Sequence, residues 1–156
     1  MAAPAISHLI GTTALIALIF VLPLFYTNVV NTIEVDVIER ELQEIADYTS
    51  NTIENLYFLV NSTNSLSVSS LEKELVYLPS SVENSIYTLE IVPSVNGSFP
   101  FVHAALKNDV SVAVDSWLLP GLMVVEDNSS IESSEKIVVV GCSRDGDAVN
   151  VWIKYT

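Results

Sequence analysis

The chain has 156 residues, half of them hydrophobic, and a formal net charge of −13. That length holds one small folded domain plus an appendage. Its six Lys and Arg are scattered singly, which excludes the basic footprint of a nucleic-acid-binding protein, and its lone Cys142 excludes an intramolecular disulfide and any multi-cysteine zinc or iron–sulfur site.

The charge is unevenly placed. Met1 to Ile33 contains no Asp, Glu, Lys or Arg, and every charged residue lies between Glu34 and Lys154. Within Ile6–Val30, the run LIGTTALIALIFVLPLFYTNVV from Leu9 onward has the length of a bilayer span, about 20 residues. Burying each large apolar side chain is worth roughly 1.5–3 kcal/mol. A dozen of them outweigh the stability of an ordinary domain, so the segment must lie in lipid or against copies of itself. Gly11, Thr12, Thr13, Ala14 and Ala17 are small enough for helices to approach closely. Pro23 removes one backbone donor, a kinking defect tolerated where packing or lipid surrounds it. Phe25 and Tyr26 suit a membrane–water interface. With no basic stretch before the run and no small-x-small site after it, a cleaved secretory signal is the weaker reading.

Apolar residues continue at helical spacing through Ile33, Val37, Ile38, Leu42, Ile45, Ile53, Leu56 and Val60, with Glu34, Glu39, Glu41, Glu44, Asp47 and Glu54 on other faces. The pattern predicts one helix of roughly 55 residues, about 80 Å long. Its first half is apolar all round and its second half amphipathic. The stripe of the second half needs a partner.

Past Asn61 the texture changes. Asn61–Ser70 is a loop by composition, and Leu71–Leu78 is ambiguous before Pro79. Short β-type runs follow: Ile86–Val92, Phe99–Leu106, Asp109–Asp115, Leu122–Glu126, Lys136–Cys142 and Ala148–Tyr155. Val110, Val112 and Val114 alternate with polar or small neighbours, as do Val149, Val151, Ile153 and Tyr155. Asp145-Gly146 signals the turn between the last two strands. No helical connection separates the strands, so the sheet is expected to be antiparallel, with one face on the amphipathic helix. Cys142 reads as a small core residue at a strand end. Acceptor sequons begin at Asn61, Asn96 and Asn128, each in a predicted loop. Together they favour an extracellular domain.

No catalytic constellation emerges. His8 lies in the apolar segment, and His103 has no second ligand at metal-binding spacing. There is no G-x-S-x-G elbow, G-x-G-x-x-G or P-loop. Asp145-Gly146-Asp147 lacks the other ligands of a calcium loop and reads as a hairpin tip. Glu126-Asp127-Asn128 reads as a solvated loop. Trp152, on the polar face of its strand, is either a contact with another subunit or covered by its own chain. No enzyme, cofactor or metal site is expected.

Ala5–Tyr26 (AISHLIGTTALIALIFVLPLFY) resembles the mature N-terminus of archaeal type IV pilins and archaellins: a small residue, an Ile-Ser step and a long aliphatic helix. Leu78–Ile91 (LPSSVENSIYTLEI) is similar to the Leu-Pro element and Tyr-x-Leu-x-Ile strand that follow the helix in archaeal pilin-like proteins. The resemblance implies an α+β, pilin-like fold, with a hydrophobic then amphipathic helix over 1–60 and an antiparallel β-rich, sandwich-like extracellular head over 61–156. It also implies processing by a prepilin peptidase, membrane insertion before assembly, handling by pilus assembly machinery and helix-on-helix polymerisation, with the often glycosylated heads outside. Met1–Ser7 has neither the basic stretch nor the Lys/Arg–Gly/Ala pair of such signals. The chain is therefore read as the processed form or as a permanent anchor.

The expected function is that of a structural subunit of an extracellular filament whose partners are copies of itself. Ile10, Leu15, Leu18, Ile19, Leu22, Ile33 and Val37 are the expected polymerisation core. The alternative is a monomeric membrane-anchored binding or stator module, as in archaellum stator proteins.

Overall fold

The computed structural model describes residues 3–62, 70–94, 98–125, 129–134, 136–146 and 148–156, with side chains from residue 8 onward. The chain divides into two compact units, Met1–Val37 and Ile38–Thr156. A single helix, α1 (Ala3–Ser62), supplies the first unit and opens the second. It runs through Pro23. Beyond it lie β1 (Ser70–Glu74), β2 (Tyr87–Val92), β3 (Phe101–Leu106), β4 (Ala113–Trp117), β5 (Leu122–Val124), β6 (Ser130–Glu132), β7 (Val138–Asp145) and β8 (Ala148–Tyr155).

The strands form two four-stranded sheets, ordered β1-β7-β8-β5 and β4-β3-β2-β6. The fold is thus α+β, with antiparallel-rich sheets. One pairing departs from the expected antiparallel pattern: β5 runs parallel to β8, with Leu122 opposite Val149 and Val124 opposite Val151. The reason is topological. Between β5 and β8 the chain visits the other sheet as β6 and returns as β7, and that excursion serves as the crossover a parallel pair needs.

In the second unit the helical stripe forms as its spacing predicts. Leu42, Ile45, Ala46, Ile53, Leu56 and Val60 are buried in one core cluster with Leu89, Ile91 and Val102 of one sheet and Val140, Cys142, Val151 and Ile153 of the other. Polar groups set how the helix lies on β4. Ser116 Oγ donates to Asp47 Oδ1 at 2.7 Å, and Ser50 Oγ donates to the Trp117 carbonyl at 3.0 Å. Buried Thr49 donates back to the Ile45 carbonyl, so it enters the core satisfied. Among the described residues no buried side-chain polar atom lacks a partner.

Several local expectations need correction. The run Asp109–Asp115 is not one strand: Asp109 Oδ1 accepts from the Ser111 N–H at 3.1 Å and from its hydroxyl. This Asx-type turn leaves Val110 73% exposed, and β4 starts only at Ala113. Asn61 is not in a loop; with Ser62 it ends α1, and it is exposed. Asn96, Asn128 and the Glu126-Asp127 pair lie outside the described residues. The ambiguous Leu71–Leu78 segment begins in β1. At the other end, β7 runs on to Asp145, which pairs with Ala148. Gly146, at φ 63°, makes the tight reversal that only a residue without Cβ adopts at little cost.

The β8 alternation holds: Val149, Val151 and Ile153 are buried, while Asn150, Trp152 and Lys154 are half-buried. Trp152 packs over its own sheet and stays half-buried. It sits opposite Gly141 in the β7–β8 register, where a Cβ would fall 2.2 Å from Trp152 Cε2. Tyr155, at the end of β8, reaches β6 of the other sheet. Its hydroxyl accepts the Glu132 N–H at 2.8 Å and donates to the Glu132 carbonyl, occupying both edge-facing backbone groups of that residue.

The Gly141 slot yields a prediction. Gly141→Ala must displace the indole and is expected to cost about 1–3 kcal/mol, measured by urea unfolding of the full chain in detergent. In a Trp152→Ala background the same substitution should be nearly neutral. An equal cost in both backgrounds would show that the slot is not what requires glycine.

Candidate functional site

In the first unit, the feature with functional content is the uncharged helical arm. From Leu9 to Val37 the large apolar side chains are between 39% and 71% exposed, with Val30 alone half-buried. All seven expected polymerisation residues are exposed, from Ile10 at 64% to Val37 at 39%. They share no single face: Leu18 and Ile19 are neighbours, and consecutive helical residues point about 100° apart. From His8 to Tyr26 the helix is apolar around its whole girth. It thus differs from an interfacial helix, which keeps one polar face. It is long and apolar enough to cross a membrane.

The arm's threonine hydroxyls are self-satisfied. Thr12, Thr13, Thr27 and Thr32 donate to the carbonyls of His8, Leu9, Pro23 and Asn28, one turn back, at 2.7–2.9 Å. These bonds remove four donors that would otherwise seek water. A Cβ added at Gly11 would meet nothing within 4 Å, so nothing in this chain requires a glycine there. Helical glycine costs about 1 kcal/mol relative to Ala; a closely approaching second helix would account for that cost.

Among the described residues of the second unit no reactive constellation forms. Among the described residues no group of three His, Cys, Asp or Glu is placed to hold a metal. His103 Nδ1–H donates to Asp115 Oδ1 at 2.6 Å, a cross-strand pair on the outward face of its sheet. One groove, about 790 Å³, is lined by Glu41, Glu44, Tyr48, Tyr77 and Glu83 among others. It holds no nucleophile–base pair. The turn beside it, Val82–Ser85, places Glu83 at φ 44° and Asn84 at φ 61° and closes with reciprocal backbone bonds between Val82 and Ser85.

Two weak acids in the core stay protonated to higher pH than usual. Burial pushes the Cys142 thiol up to about 11. Burial, with Tyr155 nearby, pushes the Tyr87 phenol up to about 12, and that hydroxyl donates to the Pro79 carbonyl at 2.7 Å. Sequence reasoning identified the arm through its missing charges. It did not find the Phe101–His103–Asp115–Trp117 surface, because those residues meet only across strands. No family model, curated protein or solved structure matches this chain.

The raised values carry a pH prediction. Each acid binds its proton more tightly folded than unfolded, so stability is whole below the ordinary values of 9.0 and 10.0 and falls as pH climbs through the folded ones. The urea midpoint should be flat near neutrality and decline between pH 9 and 12. Iodoacetamide should leave Cys142 unmodified in the folded protein and modify it after unfolding. Rapid labelling of the folded chain would contradict its burial.

Proposed function

We propose that this chain is a non-enzymatic structural subunit of an extracellular filament of the archaeal type IV pilin-like kind. Its uncharged arms bundle as the filament core, and its heads are displayed for adhesion or surface contact. The observation that carries this reading is the arm itself: apolar around its girth, with its threonine hydroxyls satisfied and no cover within its unit. Such a surface is stable in lipid before assembly and against identical arms afterwards, so passage from one to the other need not expose it to water. Gly11 supports arm-on-arm packing over lipid alone, since lipid chains impose no demand for close backbone approach. The expected core residues are Ile10, Leu15, Leu18, Ile19, Leu22, Ile33 and Val37. Asn61, Asn96 and Asn128 are the proposed glycan acceptors of an exported head. Processing by a prepilin peptidase and extraction by assembly machinery belong to the same proposal.

The test is direct. Sheared cell-surface material, viewed by electron microscopy and identified by mass spectrometry, should contain this chain in filaments. Recovery only from the membrane fraction would instead favour a monomeric anchored module. Leu18→Asp should abolish filaments while the head keeps its circular dichroism, because a buried unpaired carboxylate costs several kcal/mol in an apolar bundle. Intact filaments from that variant would refute the arm-core mechanism.

A further inference from the structure

The outward face of the β4-β3-β2-β6 sheet carries side chains that its core does not use. Its registers align Val92, Phe101 and Trp117 in one cross-strand row and Glu90, His103 and Asp115 in the next. Phe101 and Trp117 meet edge to face with centroids 5.3 Å apart, and Trp117 is 59% exposed. His103 occupies one oxygen of Asp115. Aromatic rings beside carboxylates are what a guanidinium recognises: its plane stacks on a ring while its N–H fork meets an acid.

Most cations of the head are already engaged. Lys107 pairs with Glu132 and Lys154 with Glu72; Lys136 lies over the Tyr155 ring, and Arg144 Nε donates to the Gly146 carbonyl. Among the described residues Arg40 and Lys73 have no such partner, and only Arg40 offers a guanidinium. It is exposed on α1.

We propose that this aromatic–carboxylate face of one copy receives Arg40 of a second copy, the guanidinium stacking on Trp117 and pairing with Asp115. The two patches differ, so the contact is heterologous, and repeated from copy to copy it builds an open polymer. It also sets a cation against acids in a chain of net charge −13, where like-charge repulsion opposes association. The inference rests on the filament reading for where the contact is used.

Cysteine cross-linking of the full-length protein tests it, in cell-surface material and in membranes. With Arg40→Cys and Asp115→Cys combined, a short bis-maleimide should produce a ladder of dimers, trimers and higher species. Neither single variant should do so, and buried Cys142 stays out of the reaction. Independently, Arg40→Glu and Asp115→Arg should each cut the assembled material at least tenfold, their combination should restore it, and Lys73→Glu should leave it unchanged. A missing ladder, or no rescue by the charge swap, overturns the contact. A ladder without filaments keeps the contact and overturns the filament reading; filaments without a ladder do the reverse.

Discussion

Keeping apolar surface from water is the constraint on which the rest of this molecule depends. The helix α1 meets it in two ways, and the change between them is written in the charges. Before Glu34 the helix has no Asp, Glu, Lys or Arg, and its apolar residues face every direction. Nothing within that unit satisfies such a surface, so its cover must come from outside the unit. From Leu42 onward the apolar residues narrow to a stripe with 3–4-residue spacing, and two sheets cover it in a shared core. Environment, not backbone, separates these two stretches of one helix.

Within the head, polar groups act mainly as positioning devices. Asp47 and Ser50 do not add apolar burial; they fix how the stripe meets β4, through Ser116 and the Trp117 carbonyl. The Ser50 bond also occupies an edge-strand carbonyl. Tyr155 does the same for β6 from the opposite sheet. Both edges of the β4-β3-β2-β6 sheet therefore have backbone groups engaged by the chain itself, which restrains unplanned strand pairing. Of the other sheet's two edge strands, β1 carries Glu72, Lys73 and Glu74 in a row, and charge protects it. For an acidic head of this kind, charge opposes general stickiness.

Legibility in the sequence followed the range of the interaction. The period-two burial of β8 and the helical stripe from Leu42 to Val60 could be read directly, since each depends on residues a few positions apart. The turn at Asp109–Val112 was missed because one side-chain oxygen of Asp109 outcompeted the alternation of three valines. β6 was invisible: three residues, Ser130–Glu132, become a strand only because β2 offers an edge and Tyr155 holds the other side. The Val82–Ser85 turn uses Glu83 and Asn84 at positive φ, without the Asn-Gly or Asp-Gly signal that would have announced it. The exposed apolar residues of the arm were legible from hydrophobicity alone, whereas the aromatic–carboxylate surface was not, since Phe101, Asp115 and Trp117 become neighbours only through strand register.

Residue order alone makes this chain an amphiphile: an uncharged helical segment joined to an acidic, β-rich head with a single cysteine and no catalytic motif. Those properties are sums and periodicities over adjacent residues, and no partner is needed to evaluate them. Only the tertiary structure decided that β5 pairs parallel with β8, that Gly141 is a slot for Trp152, and that His103 and Asp115 share a row beside Phe101 and Trp117. Each of these depends on which strand lies beside which. Strand neighbours are selected by the whole core at once, through burial and backbone pairing between residues far apart in the chain, and no local pattern records that choice.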